Sequence, residues 1–178
     1  MSRSRCIEII GSPVLRRVSQ PFDLSVGTGP LLELVGEMER LMASERGLGL
    51  AAPQAGENVR VFILDSSSLD TSGHRVFVNP AIEPYGPVCR IEEGCLSIPG
   101  LYEEVRRPSN CRLSAMDERG IRFELDLGGM AARAAQHEND HLDGILFVDR
   151  LGSLRRRLLR RRLEAMAETA GNEPDRRV

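Results

Sequence analysis

Two histidines, His137 and His141, enclose Glu138, Asn139 and Asp140. On a helix, residues four apart share a face, so both imidazoles can reach one metal ion. Glu138 lies one position on, at the edge of that face. There a carboxylate can touch water beside the ion without ligating it. The chemistry this spacing offers is metal-assisted hydrolysis. A solvated helix can carry the same pattern by chance, so the neighbourhood has to decide. Ala131, Ala132, Ala134 and Ala135 precede the motif and lie on several sides of the helix. Small residues all round indicate a helix packed closely by other elements. A buried helix does not hold two His, a Glu and an Asp without a use for them.

Two imidazoles need a third ligand. A histidine six residues after His141 would serve, but that position is Phe147. Glu164 and Glu168 lie further downstream, on an arginine-rich segment expected at the surface. Upstream, Glu92-Glu93-Gly94-Cys95-Leu96-Ser97 offers a thiol. A thiolate with two imidazoles makes a tetrahedral site with one position open, the layout of a catalytic centre. A lone cysteine is more often a packed thiol. Residues alone therefore leave two hydrolase readings: a Cys95 site, and a zinc peptidase that takes Glu164 or Glu168.

The elements that position these groups follow from periodicity. Apolar residues at Leu31, Leu34, Val35, Met38, Leu41 and Met42 predict a helix over residues 30–46, with Thr28 as cap and Gly47 as stop. Strands are expected over residues 59–65, 75–78 and 102–105. Residues 110–116 and 121–127 alternate about the turn at 117–120, which predicts an antiparallel hairpin. Ile121, Phe123, Leu125 and Leu127 share one face of its second strand. The metal-binding helix should run over residues 130–142, ending at Gly144. A last helix should run from Ser153, as cap, to about Ala170, with Leu154, Leu158, Leu159, Leu163 and Met166 inward. Residues 171–178 read as a disordered tail. The class is α+β: one domain over residues 1–178, with antiparallel β-sheets around a central metal-binding helix and helices at both ends.

Composition fits this. The chain has 178 residues, 41% hydrophobic and 28% charged, with a formal charge of −2. That suits one globular domain with a real core. No apolar run approaches the roughly 18 residues of a membrane span. The N-terminus does not read as a secretory signal, so the expected compartment is the cytoplasm. In that setting Cys6, Cys89 and Cys111 read as packed thiols rather than disulfide partners. His74 stands in a polar loop. Charge is unevenly spread: residues 155–162 carry six arginines and no acid.

Three segments resemble the signature motifs of the peptide deformylases. They are Gly47-Leu48-Gly49-Leu50-Ala51-Ala52-Pro53-Gln54, then Glu93-Gly94-Cys95-Leu96-Ser97, then residues 136–144 around His137 and His141. Together, in this order, they are highly specific, and the resemblance spans roughly residues 8–165. It implies the deformylase fold and a hydrolase that removes formyl from N-formylmethionyl nascent chains, releasing formate. It implies one divalent metal on Cys95, His137 and His141: Fe2+ in the cell, with Zn2+, Ni2+ or Co2+ able to substitute. It implies hydroxide at the metal attacking the formyl carbon, with Glu138 as general base and then acid. The Gln54 amide and the Leu96 N–H would hold the oxyanion. Backbone at Leu48, Gly49 and Gly94 would bind the peptide. Residues 127–132 depart from the family, which often has two larger aliphatic residues there, and this bears on the shape of the substrate pocket. An inactive, ribosome-binding relative is the non-enzyme alternative, and the intact motifs argue against it.

Two charged features complete the expectations. Asp140 on a buried helix needs a cation, and Arg107 is the candidate. The arginines of the last helix are either a solvated basic face over an apolar seam or a contact for ribosomal RNA near the tunnel exit.

Overall fold

The computed structural model describes residues 6–65 and 75–172. His74 and residues 173–178 of the expected tail lie outside that range. The order is helix α1 (Gly29–Glu45), strands β1 (Gly49–Ala51), β2 (Val61–Leu64), β3 (Val76–Cys95), β4 (Ile98–Met116) and β5 (Arg122–Gly128), then helices α2 (Gly129–Leu142) and α3 (Ser153–Asn172). Short 3-10 turns at Pro13–Arg16, Ala52–Ala55 and Phe147–Arg150 join them. The class is α+β, as expected.

The strands form one sheet in the order β1-β2-β3-β4-β5. Every pairing is antiparallel. Two strands are far longer than their apolar runs suggested. β3 and β4 make a hairpin in which Val78 faces Met116 at one end and Cys95 faces Ile98 at the other. Much of β3 is exposed on both faces, so it lacks the alternation that marks a half-buried strand. The predicted second hairpin is present, with Met116 opposite Arg122 and Asn110 opposite Gly128. Cys111, Leu113 and Ala115 face inward as expected, but Ile121 sits at the turn and is exposed.

The core has three parts. α1 buries Leu31, Leu34, Val35, Met38 and Met42 against Leu50, Val61, Ile63 and Val78. Thr28 precedes α1 but makes no side-chain cap bond. The left-handed residue that ends the helix is Arg46 (φ 54), not Gly47. α2 packs on the sheet, where Ala132, Ala135 and Leu142 meet Ala51, Phe62, Leu64, Phe77, Cys111 and Leu113. Small residues let the strands approach the helix closely, so the alanines serve the packing the sequence suggested. A third cluster joins Ile10, Leu15, Ile98, Leu101 and Phe147 to Leu159 of α3.

α3 departs from expectation on one face. Leu159, Leu163 and Met166 pack inward, whereas Leu154 and Leu158 are exposed. At about 100° per residue, the first three make one narrow stripe and the other two stand roughly 100–140° off it. The helix lies on the body along a single seam.

Candidate metal centre and active site

Cys95 ends β3, and Leu96-Ser97 form the two-residue turn into β4. The turn is fixed from two sides. The Ile10 N–H donates to the Ser97 carbonyl at 2.8 Å, and the Gln54 amide donates to Ser97 Oγ at 3.2 Å. Across the cavity, α2 presents His137 and His141 on one face. Their rings meet edge to face with centroids 5.1 Å apart.

Donor atoms of Cys95, His137 and His141 all lie within 4.8 Å of one another. Cys95 Sγ is 3.2 Å from His141 Nε2. Bonds of about 2.3 Å to sulfur and 2.0 Å to nitrogen, at a tetrahedral angle, place such atoms about 3.5 Å apart. The donors therefore suit one tetrahedral divalent ion. The set also has the outer support a metal-ligating histidine needs: His137 Nδ1 is 3.1 Å from Glu93 Oε2, which leaves Nε2 for the ion. Phe147, which cannot ligate, stacks on the His137 ring at 6.2 Å. Among the described residues no other cluster of this kind occurs. Glu164 and Glu168 lie exposed on α3, with Glu164 beside Arg160. The peptidase alternative therefore loses its third ligand.

Glu138 is 5% exposed, and its Oε2 has no hydrogen-bond partner among the described residues. Burial pushes its carboxyl up to about 7, against the opposing pull of His137 and Arg107. A carboxyl that titrates near neutrality can both take and return a proton. Gly49 makes room for it: a Cβ there would lie 2.8 Å from Glu138 Oε1. Gln54 is aimed by its own oxygen, which accepts from the Ala51 N–H at 2.9 Å. Its amide nitrogen is thereby turned toward Cys95 Sγ, 3.5 Å away, and Ser97. Gln54, Gly94, Leu96, Leu48 and Gly49 all line the same cavity of about 440 Å3, together with Cys95, His137 and Glu138. Every residue predicted for the site is thus in one place.

Beneath the ligands lies a buried charge network. Arg107 is 3% exposed; its Nε and Nη2 donate to Glu93 at 2.7 and 3.0 Å, and its Nη1 donates to Asp140 at 2.7 Å. The expected Asp140–Arg107 pair is therefore present. Arg150 donates to both oxygens of Asp140, and Arg133 donates to Glu93. Burial alone would raise the Glu93 carboxyl, but bonds from His137 and Arg107 outweigh it and hold it at about 2. Glu93, Ser97, Arg133 and Arg150 were not assigned roles from sequence. Glu93 and Ser97 carried a signal that could have found them, each standing two residues from the candidate ligand Cys95 in the quoted motif.

Residues 5–157 match the family model described as polypeptide deformylase. A peptide deformylase of Cytophaga hutchinsonii is 41% identical over 158 residues, covering 86% of this chain and 85% of the relative. One from Treponema pallidum is 42% identical over 165 residues, covering 92% of this chain and 98% of its own length. Among solved structures, a peptide deformylase from Legionella pneumophila superposes with a TM-score of 0.81 at 35% identity, covering 96% of this chain and 99% of that one. One from Synechococcus elongatus in complex with actinonin gives a TM-score of 0.77 at 34% identity, covering 96% and 87%. With its converging thiol and imidazoles and its match over most of both lengths, the chain belongs to the polypeptide deformylase family.

Proposed function

We propose that this deformylase works through the residues gathered in the cavity, with Cys95, His137 and His141 holding one divalent ion. The observation that carries the reading is the convergence of those three donors beside a buried Glu138 carboxyl whose Oε2 has no hydrogen-bond partner among the described residues. A divalent ion held there supplies Lewis acidity, which makes water acidic near neutral pH. The peptide lies extended along β1, which among the described residues pairs with β2 alone and so has its other edge free. Backbone at Leu48 and Gly49 on one side and Gly94 on the other holds it as an added strand would. Glu138 takes a proton from the attacking water as its oxygen bonds to the formyl carbon. The Gln54 amide and the Leu96 N–H donate to the formyl oxygen as charge develops on it. The C–N bond then breaks, Glu138 returns the proton to the departing nitrogen, and formate and a free N-terminus leave. A formyl carbon bears only hydrogen, so a tight site rejects acetyl by contact with its methyl.

Formate release from a formyl-Met peptide, set against an acetyl-Met peptide and an unformylated one, tests the reaction. The ligand set is tested separately: Cys95→Ala abolishes stable metal binding and Glu164→Ala leaves it intact. Metal retained by the first and lost by the second would restore the peptidase reading.

The same reading extends to metal, partner and compartment. The donor set suits Fe2+ as the cellular ion, with Zn2+, Ni2+ or Co2+ able to replace it; metal analysis of protein purified without oxygen decides this. A cytoplasmic, single-domain enzyme fits nascent chains as substrates. No helix among the described residues is long and apolar enough to cross a membrane. On α3, Arg155 is tied to Glu103 and Arg162 to the Gly100 carbonyl. Arg156, Arg157 and Arg161 remain outward, the last two flanking exposed Leu154 and Leu158. That face suits ribosomal RNA at the tunnel exit. Replacing those three arginines with Gln should then weaken ribosome co-sedimentation in a salt-dependent way and leave small-peptide turnover unchanged.

A further inference from the structure

Besides the acid–base candidate Glu138, α2 turns four residues toward the cavity: Met130, Arg133, Ala134 and His137. Their spacing of three and four puts them on one helical face. Met130 is 48% exposed at the rim, and Arg133 is only 4% exposed. Arg133 sits one turn, about 5.4 Å, from the ligand His137, a distance an unbranched side chain spans. The stripe leads from the metal site to the rim, and we take it as the path of the first side chain of a substrate whose formyl group is at the metal site. The wall it meets is an arginine and an alanine.

A guanidinium carries five N–H groups. Arg133 Nη1 donates to Glu93 and to the Val105 carbonyl, and Nη2 donates to the Cys89 carbonyl at 3.1 Å. Those bonds anchor the head against β3 and β4. They leave the Nε–H and one Nη2 hydrogen without an acceptor among the described residues, on a charged group enclosed in the cavity wall. A thioether sulfur accepts hydrogen bonds weakly. The sulfoxide formed when methionine is oxidised has the same chain length and carries a polar oxygen on its sulfur.

We propose that Arg133 gives the cavity a subsite for a hydrogen-bond acceptor on the substrate's first side chain, so that N-formyl peptides opening with methionine sulfoxide are substrates alongside those opening with methionine. The inference rests on the deformylase reading above. The reaction is unchanged. Water supplies the oxygen that bonds to the formyl carbon, the C–N bond breaks, the amine takes the proton, and the sulfoxide leaves as it entered. A donor already present in the wall removes the penalty that an apolar pocket would place on a buried polar end.

The test compares three peptides identical beyond their first residue: formyl-methionine, formyl-norleucine and formyl-methionine sulfoxide. The metal-loaded enzyme is assayed for formate, and the quantity read is the sulfoxide-to-norleucine ratio of kcat/KM. In the unsubstituted enzyme this ratio should be above one-tenth, because an unpaired polar group buried in an apolar pocket loses roughly ten- to a hundredfold. Arg133→Leu should lower the ratio by roughly ten- to a hundredfold, the worth of a hydrogen bond from a charged donor. Arg133→Lys, which keeps the cation, should lower it less. If Arg133 only braced Glu93, all three peptides would slow together and the ratio would stay fixed, which overturns the proposal. Calorimetric binding of the free-amine product peptides should show the same ratio change without turnover. A starting ratio below one-tenth overturns the proposal even if Arg133→Leu fails to fold. If the unsubstituted enzyme cleaves none of the three, the deformylase reading itself has failed.

Discussion

Asp140→Asn tests whether the buried charge network holds the metal-binding helix in place. Asp140 is 4% exposed and accepts from two arginines, Arg107 and Arg150. Asparagine keeps the shape but removes the charge and turns an NH2 donor toward guanidinium donors. Breaking a buried ion pair from one side costs about 3–5 kcal/mol. Two features place this case at the lower end. Arg107 keeps its two bonds to Glu93, and the Arg150 side chain is 44% exposed, so solvent can take up its charge. A loss of about 3 kcal/mol lowers Tm by roughly 10 °C in a chain of this size. The assay is urea unfolding of metal-loaded protein, with Arg107→Met and the double variant completing a cycle. Arg107→Met leaves each carboxylate one arginine: Arg133 on Glu93 and Arg150 on Asp140. The double variant should therefore lose clearly less than the sum of the singles. Single losses that add within about 0.5 kcal/mol, or an Asp140→Asn variant as stable as the parent, would refute the reasoning.

Glu138→Ala should retain the metal and lose roughly 10²–10⁴ in kcat, since this carboxylate acts on protons and not on the ion; near-normal turnover with full metal content rules the role out. Gly49→Ala places a Cβ 2.8 Å from both Glu138 Oε1 and Leu64 Cδ2. Displacing the acid–base group should cost between roughly ten- and a hundredfold in kcat while the fold survives, so unchanged kcat with unchanged stability counts against Glu138's placement. The Glu93 carboxyl, held at about 2 against an ordinary 4.5, contributes stability that is fully present above pH 4.5 and lost as pH falls toward 2. Its contribution is on the order of 3 kcal/mol. Acid unfolding followed from pH 5 to pH 2 should therefore be flatter in Glu93→Gln, and an equally steep loss assigns the acid limb elsewhere.

Spacing along one element was enough to mark His137, Glu138 and His141, because a helix fixes which residues share a face. Strict alternation likewise marked the hairpin of residues 110–127, where one face is buried and the other wet. Helix α1 was legible for the same reason, although its stop fell on Arg46 rather than Gly47. Tertiary structure decided what periodicity cannot encode. β3 and β4 run far past their apolar segments because each satisfies the other's backbone, whatever its side chains face. Leu154 and Leu158 are apolar yet exposed, since α3 touches the body along one seam only. Residue types left Cys95 competing with Glu164 and Glu168. Only the β3–β4 turn brings the thiol to the imidazoles, across 42 positions from Cys95 to His137. The roles of Glu93 and Arg133 were hidden for a related reason. A charged residue reads as surface in sequence, and burial becomes tolerable only when distant strands and helices supply its counter-charges.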